Sequence, residues 1–204
     1  MKQGLLLALL VMSIGLLQAQ DDGEKEEKSG GFKKENLFSG GSISLSLSNY
    51  FFLVGANPVL GYRLADWVDA GVVINYQYSS YRHYYNPDDK LRQSIYGGGV
   101  FSRLYPFNFL FVQGQYEHNF ITQKYIYPDG TTTDKNSTSA NSVLVGAGYA
   151  QGKTNGFNSG FFYLSVLFDV SGNAYSPYTD SQGRPLPIVR AGVNIPLFQG
   201  RGGY

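Results

Sequence analysis

Five charged residues stand apart from the other charges of the chain because their surroundings are almost uncharged. These residues are Arg63, Arg103, Glu117, Asp169 and Arg190. Each falls at an alternate position of its segment, shared with serine, asparagine, glutamine or glycine, while the intervening positions are mostly apolar. A charge that is enclosed away from water must be paired, because an unpaired buried charge is strongly destabilising. We therefore expect these three cations and two anions to form an interior ion-pair network.

The other residue types give little support for catalysis. The chain has no cysteine, so thiolate nucleophiles, disulfides and cysteine-ligated metal sites are excluded. One of its two histidines, His118, follows Glu117 directly, and adjacent residues of a strand point to opposite faces, so the two cannot form a local dyad. The other, His83, lies in a loop rich in tyrosine. The sequence predicts no enzyme, no catalytic residue, no metal site and no cofactor.

The N-terminus has the organisation of a secretory signal. Lys2 precedes an apolar run over residues 5–14, and Ala19 supplies the small residue expected before a cleavage site. The run is shorter than the roughly 20 apolar residues that a membrane-spanning helix needs. We predict a signal peptide over residues 1–19 and hence an exported protein.

A highly charged segment follows the predicted signal. Ten of the eighteen residues from Asp21 to Phe38 are charged, with glycine and serine among them. Such a composition is typical of a solvated, disordered segment. We interpret residues 20–38 as a disordered periplasmic leader, residues 39–198 as the folded domain and residues 199–204 as a short C-terminal tail. The near balance of 16 Lys+Arg and 15 Asp+Glu gives no reason to expect nucleic acid as a partner.

Alternation with a period of two dominates the domain, which is typical of strands with two different faces. Residues 42–48, for example, alternate serine with isoleucine or leucine. The pattern predicts eight strands, at 40–48, 51–64, 68–80, 93–105, 109–121, 140–150, 159–170 and 186–197. Most are longer than the five or six residues usual in soluble sheets, and they are long enough for a tilted strand that crosses a bilayer.

Two further features favour a membrane barrel over a soluble sandwich. The polar face of the strands carries mainly serine, asparagine, glutamine and glycine, where a water-facing surface would be rich in lysine and glutamate. Shorter connections at 65–67, 106–108 and 151–158 alternate with long ones at 81–92, 122–139 and 171–185, although the link at 49–50 is short. The sequence therefore predicts an all-β fold, an eight-stranded antiparallel up-and-down transmembrane β-barrel whose aliphatic face meets lipid.

Aromatic residues cluster near the predicted strand ends. Tyr and Trp favour membrane interfaces because the ring is apolar and its polar tip contacts water. We expect an aromatic girdle at each rim of the barrel. The predicted interface aromatics are Tyr62, Trp67, Tyr105 and Phe107 at the inner rim, and Tyr78 and Tyr81 at the outer rim.

Three segments carry a resemblance to a known family: VLGYRLAD at 59–66, IYGGGVFSRLYP at 95–106 and VRAGVN at 189–194. Through them the chain, over about residues 40–198, resembles the small eight-stranded outer-membrane β-barrels of the OmpA/OmpX type. The resemblance implies a location in the bacterial outer membrane, with outer-membrane lipid as a partner, and says little about activity.

Three functional hypotheses follow from these patterns. The leading one is a non-enzymatic integral barrel with a structural or partner-binding role through its extracellular loops. The second is a small-solute pore. The third is an accessory subunit docked on another envelope protein, through its lipid-facing side or the charged leader.

Overall fold

The computed structural model describes residues 32–83, 87–153, 160–180 and 182–198. The predicted signal peptide, the predicted leader up to residue 31 and the predicted tail lie outside the described residues. The described chain begins with a short 3-10 turn at Lys34–Asn36 and continues into eight strands. They are β1 (Leu37–Ser48), β2 (Phe51–Ala65), β3 (Val68–Arg82), β4 (Lys90–Phe107), β5 (Leu110–Ile126), β6 (Asn136–Gln151), β7 (Phe161–Asp169) and β8 (Ile188–Pro196).

The strands form one closed antiparallel sheet in which each strand pairs with its neighbour in sequence. Closure comes from β8 pairing with β1, from Phe38↔Pro196 to Leu45↔Val189. The predicted all-β, eight-stranded, up-and-down antiparallel barrel is confirmed. No helix in the described ranges is both long and apolar enough to cross a bilayer.

The wall of the barrel is uneven in height. The strands β4, β5 and β6 have 18, 17 and 16 residues and run past their predicted ends, whereas β7 and β8 have nine each. The extra pairs reach Lys90↔Ile126 between β4 and β5, where the chain is polar and no longer shows clean alternation. We call the end with connections 83–89, 127–135 and 170–187 the long-loop end, and the end with connections 66–67 and 108–109 the short-turn end.

The two faces of the sheet have inverted polarity relative to a soluble barrel. The outward face is apolar: Ile43, Ile74, Val100 and Phe162 are each more than half exposed. Many inward positions carry polar side chains such as Gln77, which is fully buried. Aromatic and aliphatic clusters fill the rest of the interior, because an eight-stranded barrel is just wide enough for side chains.

Glycine is required on the inward side of β4, where β5 approaches closely. A Cβ atom on Gly99 would collide with the carbonyl oxygen of Tyr116 and lie 2.9 Å from the Cα of Glu117. Gly114, on the outward side of β5, has no atom within 4 Å of the place where its Cβ would be. The same hairpin therefore contains one glycine that the packing requires and one that it does not.

We expect Gly99→Ala to lower the free energy of unfolding by about 1–3 kcal/mol, because the new methyl group meets backbone that cannot move freely. Gly114→Ala serves as the matched control and should be neutral or stabilising by up to about 1 kcal/mol. Urea unfolding of the refolded barrel, followed through the fluorescence of the single tryptophan, Trp67, measures both. Equal stability of the two variants would contradict the close-approach argument.

Candidate functional site

Charged side chains inside the barrel form the candidate site. Within the described residues, eight charged side chains are buried, four cations and four anions. They are Arg63, Arg103, Lys153 and Arg190, and Asp69, Asp89, Glu117 and Asp169. All five residues singled out in the sequence lie in this set. The numbers of buried positive and negative charges are equal, so their formal charges sum to zero.

We call the half of the interior nearer the long-loop end the upper half, and the half nearer the short-turn end the lower half. Glu117, in the middle of β5, lies at the centre of the hydrogen-bond network of the upper half. Its Oε1 atom accepts hydrogen bonds from Arg190 Nη2 at 3.0 Å and Gln115 Nε2 at 2.5 Å. Its Oε2 atom accepts from Tyr178 at 2.5 Å and from Asn119 Nδ2 at 3.2 Å. The carboxylate is therefore saturated with donors, which is the condition under which a buried charge is stable.

Tyr178 comes from the loop at 170–187, which folds into the long-loop end of the barrel. Its side chain is fully buried, and its hydroxyl accepts a hydrogen bond from Gln77 Nε2 at 2.7 Å while donating to Glu117. The ring packs in an apolar cluster that includes Leu53 and Leu144. The loop thus fills the space left by the short strands β7 and β8.

Asp169, at the end of β7, anchors the start of this loop. Its carboxylate accepts hydrogen bonds from the Ser176 hydroxyl and from the backbone N–H groups of Ser171 at 2.8 Å and Val143 at 3.2 Å. Among the described residues it makes no ion pair. The predicted ion-pair role of Asp169 is therefore wrong, because local loop donors, which the sequence pattern did not show, satisfy the carboxylate.

The exposed side of the same loop carries an ion pair in water. Arg184 Nε donates to Asp180 Oδ2 at 2.7 Å, and the Arg184 side chain is 71% exposed. Partial burial acts to raise the pKa of Asp180, but hydrogen bonds from the backbone and side chain of Arg184 outweigh it and lower that pKa overall. This pair is a natural reference for the buried ones.

A second cluster lies toward the short-turn end. Arg63 Nε and Asp69 Oδ1 are 3.3 Å apart, and the Tyr105 hydroxyl donates to Asp69 Oδ2 at 2.9 Å. Lys153, in the turn after β6, donates to the Asp66 carbonyl oxygen at 2.7 Å and lies 4.3 Å from the Tyr105 ring centroid. Burial, followed by repulsion from Arg63, lowers the pKa of the Lys153 amino group.

Arg103 is held by aromatic rings. Its guanidinium carbon lies 4.1 Å from the ring centroid of Tyr163, with Phe101 and Phe111 at 5.1 and 5.2 Å. Nε donates to Gln113 Oε1 at 2.8 Å, and no carboxylate in the described part of the chain pairs with it. The predicted ion pair for Arg103 is therefore wrong, because cation–π contacts and amide oxygens replace it.

Two of the predicted interface aromatics face the interior. Tyr105 and Tyr81 are 4% and 7% exposed, because both fall on the inward parity of their strands. The Tyr81 hydroxyl donates to the Thr179 carbonyl oxygen at 2.8 Å and so supports the loop. Their assignment to the rims is wrong.

The remaining four predicted interface aromatics behave differently. Trp67 and Phe107 are exposed at the short-turn end, and Tyr62 and Tyr78 are partly exposed on the outward side.

Sequence reasoning missed four interior residues. Asp69 has the inward parity of β3, and Asp89 has the same parity as Leu91 just before β4. Asp69 lies within the predicted strand at 68–80, so its parity alone marks it, whereas Asp89 lies four residues before the predicted strand at 93–105 and is reached only by a longer extension of the alternation. Lys153 and Tyr178 come from connections without periodicity, so no pattern in the sequence marks them.

The site has the chemistry of a filled interior. Among the described residues, no group of three or more His, Asp or Glu side chains could hold a metal ion. His118 lies on the outer face with its Nδ1 atom 2.6 Å from Asn141 Oδ1, and His83 lies 3.8 Å from exposed Asp88. Neither histidine joins the interior network.

No protein-family model matches the chain, and no curated protein is significantly similar to it.

Arg190→Met should lower the free energy of unfolding by about 3–5 kcal/mol, because it leaves the Glu117 carboxylate buried without its cation. Arg184→Met, the matched control in the exposed pair, should change it by less than about 1 kcal/mol. Urea titration of both refolded variants provides the comparison. Similar small losses in both would show that Glu117 does not depend on Arg190.

Proposed function

We propose that this protein is an integral outer-membrane β-barrel with a sealed interior, with a structural or partner-binding role through its long-loop end and no enzymatic activity. The observation that carries the proposal is the inverted polarity of the closed sheet. Apolar side chains cover the outside and balanced charges fill the inside. In water this arrangement would expose a continuous apolar belt, whereas in lipid it satisfies both faces.

The belt is continuous across neighbouring strands. On the outward side, Val72 of β3 lies beside Val100 of β4, which lies beside Tyr116 of β5, and Tyr116 lies beside Val143 of β6. All four side chains are more than a third exposed. A row of this kind at mid-height supports contact with the hydrocarbon core of a bilayer.

The filled interior supports a sealed barrel over the small-solute pore. Tyr178 and Glu117 close the upper half, and the Arg63–Asp69 pair with the rings around Arg103 closes the lower half. These two layers are built from different residues, so removal of one leaves the other in place. The interior of an eight-stranded barrel is just wide enough for side chains, so no channel passes beside these two layers.

An arginine in the middle of the belt tests the membrane assignment. Val100→Arg should destabilise the lipid-inserted barrel by about 2–4 kcal/mol, while Gln151→Arg, on the outward side at the end of β6, should cost about 0–1 kcal/mol. Unfolding in lipid vesicles and the fraction of heat-modifiable protein in the membrane pellet measure both. Recovery of the wild-type mature chain from a detergent-free aqueous extract, with Val100→Arg as stable as Gln151→Arg, would reject the proposal.

Conductance separates the sealed barrel from the pore. The wild-type protein should leave a planar bilayer silent, and so should Tyr178→Ala, because the lower layer still blocks the interior. Tyr175→Ala, which alters an exposed tyrosine of the same loop, is the matched control. Stepwise conductance of the wild-type protein would support the pore instead.

A further inference from the structure

Four basic side chains form a patch on the outward face near the long-loop end. Arg82 ends β3, Lys90 and Arg92 begin β4, and Lys124 lies near the end of β5. All four are exposed and have the outward parity of their strands. We call these four residues the cationic patch.

The strand registers place the four cations next to one another. Arg82 pairs directly with Lys90, and Arg92 pairs directly with Lys124. Side chains at directly opposed positions have Cβ atoms roughly 5 Å apart, so each pair sets like charges side by side. Such pairs are destabilising unless an anion lies between them.

The described residues supply no such anion. None of the four side chains forms an ion pair with a carboxylate there. Of the two nearest acids in sequence, Asp88 lies 3.8 Å from His83, and Asp89 is buried and accepts a hydrogen bond from the Tyr125 hydroxyl. The patch therefore has the charge and exposure of a site for an anion from outside the chain.

The position of the patch relative to the apolar belt indicates where that anion comes from. From the cations toward the short-turn end, the next outward row contains the polar residues Ser94 and Thr122. The row after it is aromatic, and there Tyr96 and Phe120 stack with ring centroids 5.4 Å apart. Val100 of the belt lies four residues beyond Tyr96 along β4, after the row of Gly98 and His118. At roughly 3.3 Å per residue, Arg92 lies about 13 Å along β4 from Tyr96. This order, from cations through hydroxyls and aromatics to aliphatics, matches the order of layers from a lipid headgroup to its acyl chains.

A groove lies directly beneath the patch. It has a volume of about 260 Å³ and is lined by Tyr96, Phe120, Ile121 and hydroxyl residues of β5 and β6, including Thr122 and Ser137. Thr122 is two residues from Lys124 on the same outward side. The groove can hold the polar or upper acyl part of a molecule whose anion contacts the cations.

We propose that the cationic patch and this groove form a binding site for the phosphate group of a membrane lipid. The guanidinium and ammonium groups bind the phosphate oxygens by charge-assisted hydrogen bonds, and the aromatic row contacts the upper acyl chains. The inference rests on the proposed membrane location, because the phosphate must be presented at the height of the patch.

The test compares two lipids with identical acyl chains, dioleoylphosphatidic acid and dioleoylphosphatidylcholine. Native mass spectrometry of the refolded protein in a zwitterionic detergent measures the apparent Kd of each. We expect the wild-type protein to prefer the phosphatidic acid. The double variant Arg92→Gln/Lys124→Gln should bind it about 30-fold more weakly, at about 1 kcal/mol per cation, with little change for phosphatidylcholine.

The matched control removes the same charge elsewhere. Lys33→Gln/Lys34→Gln changes two exposed lysines just before β1, at the short-turn end, and should keep wild-type affinity. Equal binding by Arg92→Gln/Lys124→Gln and the wild-type protein, or an equal loss in the lysine control, would overturn the proposal. So would complete displacement of the lipid by inorganic phosphate, since free phosphate would then be the ligand.

Measurements of folding and of membrane insertion separate the lipid site from the membrane location. Each variant is first checked for the heat-modifiable band and for insertion into phosphatidylcholine vesicles. A protein that inserts without any headgroup preference overturns the lipid site alone. A protein that remains in the aqueous phase overturns the membrane assignment.

Discussion

Glu117 carries a negative charge at the centre of a closed sheet, and much of the upper interior is arranged around it. Four donors meet its two oxygen atoms, one each from Arg190, Gln115, Asn119 and Tyr178. Three of them come from strands, and the fourth comes from a loop that must enter the barrel to reach it. A buried carboxylate without these donors would be strongly destabilising, so the position of the loop at 170–187 is coupled to the charge in the strand.

The same loop also lies where the wall of the barrel is lowest. Because β7 and β8 are short, the upper barrel would be open beside β6 and β1 if the loop did not fold inward. Ser46 of β1 donates to the Pro187 carbonyl oxygen at 2.6 Å, and Asn173 donates to the Asn141 carbonyl oxygen of β6 at 3.1 Å. The loop therefore completes the wall as well as filling the interior.

The sequence predicted the architecture because one physical pattern governs it. Alternation along 42–48 or 110–120 assigns each side chain to a face, and the inward location of Arg63, Glu117 and Arg190 follows from parity alone. The partners of the interior charges are less predictable than their location. Arg103 binds aromatic rings of β4, β5 and β7, and Asp169 binds donors of its own loop and of the neighbouring strand β6; parity determines neither set of partners.

The loops account for the other differences between sequence and structure. Tyr178 and Lys153 lie in connections without periodicity, so their burial depends on tertiary packing. Tyr81 and Tyr105 were assigned to the rims from their nearness to strand ends, although their parity already placed them inside. Parity is the stronger signal because a change of face would require a bulge or a shift of the whole strand register.

The interior loop also supports the surface where the cations lie. At the long-loop end β5 extends beyond β6, and the inward residue Leu91 of the paired strand β4 packs in the same cluster as Tyr178. Tyr125, on the inward side of the extension, bonds to Asp89 and packs against that cluster. Like charges at Arg92 and Lys124 tend to push the hairpin apart, and the buried inner face opposes that tendency. The loop that hydrogen-bonds to Glu117 therefore also packs against the inner face of the strands that carry the outer cations.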